Sequence, residues 1–154
     1  MFFAAALYDW LAFFHVLAAM IWLGGVAVLS ALVGRVLRRG DAGEIAGFIR
    51  NLRVVGPLVL APAPAVLLGA GIWMVVKRWS FDAGWIGFGL TLFALTFLVG
   101  ALFQSRAAIG AERAAKVGNA EDATRLLRRW SWGTRLILLL LVVVTWDMVV
   151  KPGI

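Results

Sequence analysis

The chain has 154 residues, 63% of them hydrophobic and only 15% charged, with a formal net charge of +7. A soluble domain is nearer half apolar and a quarter charged, so this composition belongs to a protein solvated by lipid. The lack of cysteine excludes disulfides, thiolate metal sites and iron–sulfur clusters, and a single histidine, His15, excludes a multi-histidine metal site within one chain.

In chain order, four stretches approach the roughly 20 apolar residues that a membrane-crossing helix needs. They are Ala5–Val33, Val54–Val76, Trp85–Phe103 and Leu136–Val150, the last extended inward by Trp130–Thr134 to give 130–150. Backbone groups in lipid must be paired internally, and segments of this length achieve that as helices. The expected fold is all-α: one domain over residues 1–154, an integral membrane four-helix antiparallel bundle.

Lysine and arginine set the orientation. Arg35, Arg38, Arg39, Arg50 and Arg53 follow the first span, and Arg106, Arg113, Lys116, Arg125, Arg128, Arg129 and Arg135 follow the third. The other side carries only Lys77, Arg78 and Lys151, matched by Asp9, Asp82 and Asp147, so the net positive charge falls on one face. That face is expected to be cytoplasmic, which makes the chain N-out and C-out. Basic residues that flank apolar runs suit anionic headgroups rather than nucleic acid. The opening MFFAAALYDW has no positive segment before its long apolar run, so it reads as a retained span rather than a signal peptide.

The connections carry their own helical patterns. Ile45, Phe48, Ile49 and Leu52 recur at helical spacing opposite Arg50 and Arg53, which predicts a helix lying in the headgroups. The third connection reads as two helical extensions joined at Gly118-Asn119, with Asn119 as cap and Glu121 and Asp122 in the first turn.

His15 lies near the middle of the first span, where an ionisable side chain is costly and faces the bundle interior. Residues seven apart share a helix face, which puts Tyr8, His15 and Trp22 on one stripe beside Ala12, Ala18, Ala19 and Gly25. Small residues there admit a neighbouring helix or a flat macrocycle. His15 is therefore a candidate metal ligand, holding haem iron through a neutral imidazole nitrogen. The competing reading is a histidine that hydrogen-bonds a neighbouring helix and binds nothing. A five-coordinate iron, a His–Met pair and His15 from two subunits all stay open for the second ligand; Met20 points elsewhere, and Met74 and Met148 lie toward the outer ends of their spans.

Ala61-Pro62-Ala63-Pro64 predicts a kink in the second span, either a packing feature or a site of exposed carbonyls. Asp147 and Lys151 stand in the acid-then-base order of an interfacial ion pair. Most tryptophans lie near the predicted interfaces, where they anchor a bundle. There is no phosphate-binding glycine loop, serine–histidine–aspartate arrangement or carboxylate pair, hence no sign of a hydrolase, kinase or ATPase.

Two stretches carry a resemblance. FFHVLAAMIWLGGVAVLSAL, with tryptophan seven residues after histidine and then glycines, resembles the first helix of a group of small bacterial membrane proteins. The group includes CopD membrane domains, HemJ-type protoporphyrinogen oxidases and an uncharacterised predicted integral membrane family. Met148-Val149-Val150-Lys151-Pro152 resembles the ending of that last family, which is the nearest fit. The resemblance implies a multi-pass protein of the bacterial inner membrane and makes His15 the counterpart of the histidine implicated in haem b binding, with Tyr8 and Trp22 beside it. The chain departs from the HemJ pattern in having no lysine within a span, and from copper transport in having one histidine. Three functions follow as expectations: haem b binding with an electron-transfer or oxidoreductase role; an accessory or scaffold subunit, with membrane-protein partners or further copies of itself; and, more weakly, copper or small-solute transport.

Overall fold

The first helix of the computed structural model, α1 (Phe2–Arg39), runs unbroken for 38 residues. That is about 57 Å at 1.5 Å per residue, far more than a hydrocarbon core of about 30 Å requires. The structure describes residues 2–152. α1 ends where Gly40 adopts φ +68°, a backbone state that glycine reaches without a Cβ clash. Asp41 then caps α2 (Ala42–Val55), its side chain accepting from the Glu44 N–H at 2.8 Å.

α2 passes into α3 (Pro62–Arg78) through a widened π turn over Gly56–Leu60, in which the Ala61 N–H donates to the Gly56 carbonyl at 2.8 Å. Pro57, Pro62 and Pro64 account for it. Each lacks an amide hydrogen and crowds the carbonyl four residues back, so the ordinary ladder cannot run through unchanged. The disturbance expected at Pro62 and Pro64 is absorbed in the turn just before them.

Residues 79–83 lead to α4 (Gly84–Leu98), a second π turn over Val99–Gln104, and α5 (Ser105–Lys116). No proline marks this turn; the Ser105 hydroxyl donates to the Gly100 carbonyl at 3.3 Å across it. Gly118, at φ +73°, and the Asn119 side chain, accepting from the Asp122 N–H at 3.0 Å, start α6 (Ala120–Val150).

The regular structure among the described residues is all helical, and it makes four rods long and apolar enough to cross a membrane: Ala6–Arg39, Ala42–Arg78, Gly84–Lys116 and Ala120–Val150. Leu58, Met20 and Val149 are 72%, 67% and 75% exposed, as side chains facing lipid would be. Each rod outruns its apolar stretch at the arginine-rich end.

How the rods meet decides where a site can lie. α1 packs along α3 and α6, and α4 packs along α6, while the backbones of α3 and α4 do not meet. The apolar part is thus a row in the order α3, α1, α6, α4, with a lateral gap between its outer members. The ring contact of Trp22 with Phe93, centroids 5.6 Å apart, spans that gap from α1 to α4. At the arginine-rich end α2 meets α5, so the gap is shut there.

That closure corrects the expectation that α2 lies in the headgroups. Its apolar face is buried in protein: Ile45 and Ile49 join Val33, Ala107, Ala111, Ala123, Leu127 and Trp130 in one cluster. The face has the amphipathic pattern of an interfacial helix, but α5 and α6 extend far enough to cover it. Across the rim, Arg53 Nη1 reaches Glu112 Oε1 at 3.0 Å, and Lys116 Nζ reaches the same oxygen at 2.9 Å. The Lys116 ammonium first, and the Arg53 guanidinium with it, hold the Glu112 carboxyl below the usual carboxylate range. A carboxyl shifted down in the fold contributes stability above its unfolded value of about 4.3, lost as pH falls through the folded one. Acid titration of the thermal midpoint should therefore show a loss that Glu112→Gln abolishes; a wild-type midpoint with the same acid profile as the variant would contradict this link.

Candidate functional site

Two cavities lie in the gap between the halves of the row. The one nearer the arginine-rich end, about 510 Å³, is lined by Trp22, Gln104 and Thr134 among others. Its polar groups satisfy one another. Gln104 Nε2 donates to Thr134 Oγ1 at 2.6 Å, and the Thr134 hydroxyl is 3.1 Å from the Trp130 carbonyl. Nothing in it calls for a ligand.

The cavity nearer the opposite end, about 280 Å³, differs in this respect. Tyr8 and His15 of α1, Met74 and Trp79 from the α3 side, Trp85 and Phe93 of α4, and Met148 and Lys151 at the end of α6 all line it. The expected stripe does face the gap along its length, but Trp22 belongs to the other cavity, and its contact with Phe93 stands between the two.

His15 is half-buried and fixed by one bond, from Nδ1 to the Leu67 carbonyl at 2.8 Å. A carbonyl only accepts, so Nδ1 carries the proton, and in the neutral ring Nε2 keeps its lone pair. Gly71 makes the approach feasible, since a Cβ there would lie 3.1 Å from His15 Cε1. Tyr8 lies above His15 with the Arg78 guanidinium 4.4 Å over its ring. Met20 points away and is 67% exposed.

The end of α6 overturns one expectation. Asp147 and Lys151 do not pair. Lys151 takes a left-handed conformation at the end of α6, φ 48°, and its ammonium sits 4.4 Å above the Trp79 ring and 5.5 Å from that of Trp85. Asp147 instead turns inward toward α4, 0% exposed, and neither oxygen has a hydrogen-bond partner. Gly89 makes room for it: a Cβ at that position would come 3.1 Å from Asp147 Oδ2. The Trp85 indole N–H, also buried, has no partner either. Spacing alone suggested the ion pair, because nothing local showed that the helix would end at Val150 and turn Lys151 back onto the tryptophans. The glycines within α3 and α4 were the available sign that a polar side chain comes close there.

Among the described residues no cluster of three or more histidine, cysteine or carboxylate side chains could hold a metal ion. A single imidazole can serve only a metal that brings most of its own ligands, as haem iron does. By donor chemistry the pocket fits such a group: a tautomer-fixed histidine, two thioethers and aromatic walls. Its volume, about 280 Å³, falls just below the usual range for ligand pockets, so a macrocycle would have to reach beyond it into the lateral gap between α3 and α4.

No curated protein and no solved structure matches the sequence. The resemblance to CopD and HemJ finds no support in these comparisons. One family model does match, over residues 9–152 and so nearly the whole chain. This multi-pass membrane protein therefore belongs to the DUF2269 family of predicted integral membrane proteins.

Proposed function

We propose that the chain binds haem b through His15 Nε2 and serves in electron transfer or an oxidoreductase reaction. The observation that carries this reading is the bond from His15 Nδ1–H to the Leu67 carbonyl at 2.8 Å. Metal-bound histidines characteristically donate their second nitrogen to a carbonyl or carboxylate, which fixes the ring and strengthens the ligand. Met74 and Met148 line the same cavity and would add thioether donors toward such a group. Haem, when bound, supplies the one-electron chemistry. The protein's own part is to hold the imidazole in one tautomer and keep bulk water away with Phe93, Trp85 and Trp79. Arg78 and Lys151, near the outer rim, provide positive charge for carboxylate substituents.

The same reading places the arginine-rich end in the cytoplasm and the cavity mouth on the outer side of a bacterial inner membrane, as the excess of basic residues supports. A visible spectrum of the protein purified in mild detergent, oxidised and then reduced, tests the haem assignment. The expected result is a near-stoichiometric Soret band that disappears in His15→Ala while the helical content is retained. A colourless, folded protein from haem-replete cells would overturn it. His15 would then be a packing residue, and the accessory-subunit role would be pursued by co-purification.

A further inference from the structure

A third hollow lies outside the gap between the halves, on the seam of α1 and α6 at the arginine-rich end. It is a groove of about 400 Å³ lined by Gly34 and Arg38 of α1 and by Arg128, Ser131, Trp132 and Arg135 of α6. We propose that this groove seats the phosphodiester of an anionic glycerophospholipid, with the three arginines as its counter-charges and Ser131 as a hydroxyl donor. No acid lines the groove, and none of its arginines pairs with a carboxylate among the described residues, whereas Arg39, Arg53 and Arg125 do. Guanidiniums gathered on one groove without a counter-ion repel one another and favour an anion between them. A phosphate ester suits them, because its oxygens match the fork of guanidinium N–H donors.

The second observation is Ser131, which is 2% exposed. Thr96, Thr134 and Thr145 each donate their hydroxyl to the carbonyl four residues back, the usual partner for such a group in a membrane helix. Ser131 makes no such bond and lines the groove instead. A buried donor without a partner is costly, and a phosphate oxygen in the groove accepts from it. Depth selects a lipid as the source. The first apolar run ends at Val33 and the fourth begins in earnest at Leu136, so the groove stands where hydrocarbon gives way to headgroups. The exposed Trp132 marks the same level, and Leu136 and Leu139, further into the membrane on α6, offer the acyl chains an exposed apolar surface. An anionic headgroup is favoured over a zwitterionic one, since choline or ethanolamine brings positive charge among guanidiniums. The Trp132 ring, which could otherwise hold such a cation, already engages Arg135 at 5.1 Å. The groove shares no residue with either cavity, so the proposal stands whether or not His15 binds haem.

The test is native mass spectrometry of the full chain titrated with phosphatidylglycerol in mild detergent. One phosphatidylglycerol is expected to bind more tightly than any further copy, and more tightly than phosphatidylcholine with the same acyl chains. Arg38→Gln and Arg135→Gln should each weaken this first site roughly tenfold, the effect of losing one charge-assisted hydrogen bond. Gly34→Leu alters no charge, and its Cβ would meet only Arg38 Nη1, at an ordinary 3.8 Å. It fills the groove without strain and should abolish the tight site. Arg129→Gln removes an equal charge beside the groove without lining it, and should bind as the wild type does. An unchanged affinity in Gly34→Leu, or equal losses in Arg129→Gln and Arg135→Gln, would overturn the seat and leave only diffuse attraction to a basic face. Adding inorganic phosphate identifies the source. Retention of the bound lipid supports the headgroup assignment, and its displacement would hand the groove to a soluble phosphate.

Discussion

Replacing Leu127 with alanine is expected to lower the stability of the arginine-rich end by about 2–5 kcal/mol. Leu127 is 1% exposed, and its neighbours in the cluster include Ala111 and Ala123, both fully buried and too small to fill a void. Apart from Val33 and Trp130, which stand at the ends of their spans, this cluster lies beyond the apolar runs of the rods, on the side expected to meet water and headgroups. Burial there gains the full hydrophobic term, which helices packed in lipid do not receive from one another. The chain has no native cysteine, so a single cysteine at Ala111 reports directly. It should label slowly in the parent and much faster with Leu127→Ala, alongside a lower thermal midpoint. Equal labelling and an unchanged midpoint would show that the cluster does not hold this end together.

Gly89→Leu should be the most damaging change within the membrane. A Cβ at Gly89 would meet the Met148 methyl well inside contact distance and come 3.1 Å from Asp147 Oδ2. Met148 can give way, but the carboxyl is fully enclosed and has nowhere obvious to go. Overpacking of this kind costs about 1–3 kcal/mol. Among the described residues the backbone of α4 packs along no helix but α6 and the turn that follows it, and the Trp22–Phe93 ring contact is a single side-chain bridge to α1. Gly87, two residues away, has nothing within 4 Å of its would-be Cβ. Gly87→Leu is therefore the control, expected to stay near the wild-type midpoint in detergent. If the two variants melt alike, the tight α4–α6 approach at Gly89 is not what stabilises the pair.

The number and type of the long apolar helices were legible because length and apolarity are properties of each segment alone. The Asn119 cap was legible for the same reason: a cap, an acidic first turn and a glycine before it are local signals. What could not be read was which helix covers which. The pattern of Ile45 and Ile49 is the same for a helix on a membrane surface and one under α5 and α6, and only the tertiary fold tells them apart. The second π turn has no proline to announce it. At the site, the stripe of Tyr8, His15 and Trp22 was visible from periodicity, but its division between two cavities depends on Phe93, from a helix far along the chain. Leu67 was invisible as a partner for His15 because its contribution is a backbone carbonyl, which every residue has.

The order α3, α1, α6, α4 also bears on how the protein is put together. Within the membrane, each half of the sequence forms its own hairpin, α1 with α3 and α4 with α6. The seam between them is made by the first and last rods, aided by α2 against α5. A nascent chain can thus complete its N-terminal hairpin before the C-terminal one exists. The docking that creates both cavities must wait until α6 has been synthesised and inserted, so the site is the last part of the molecule to form.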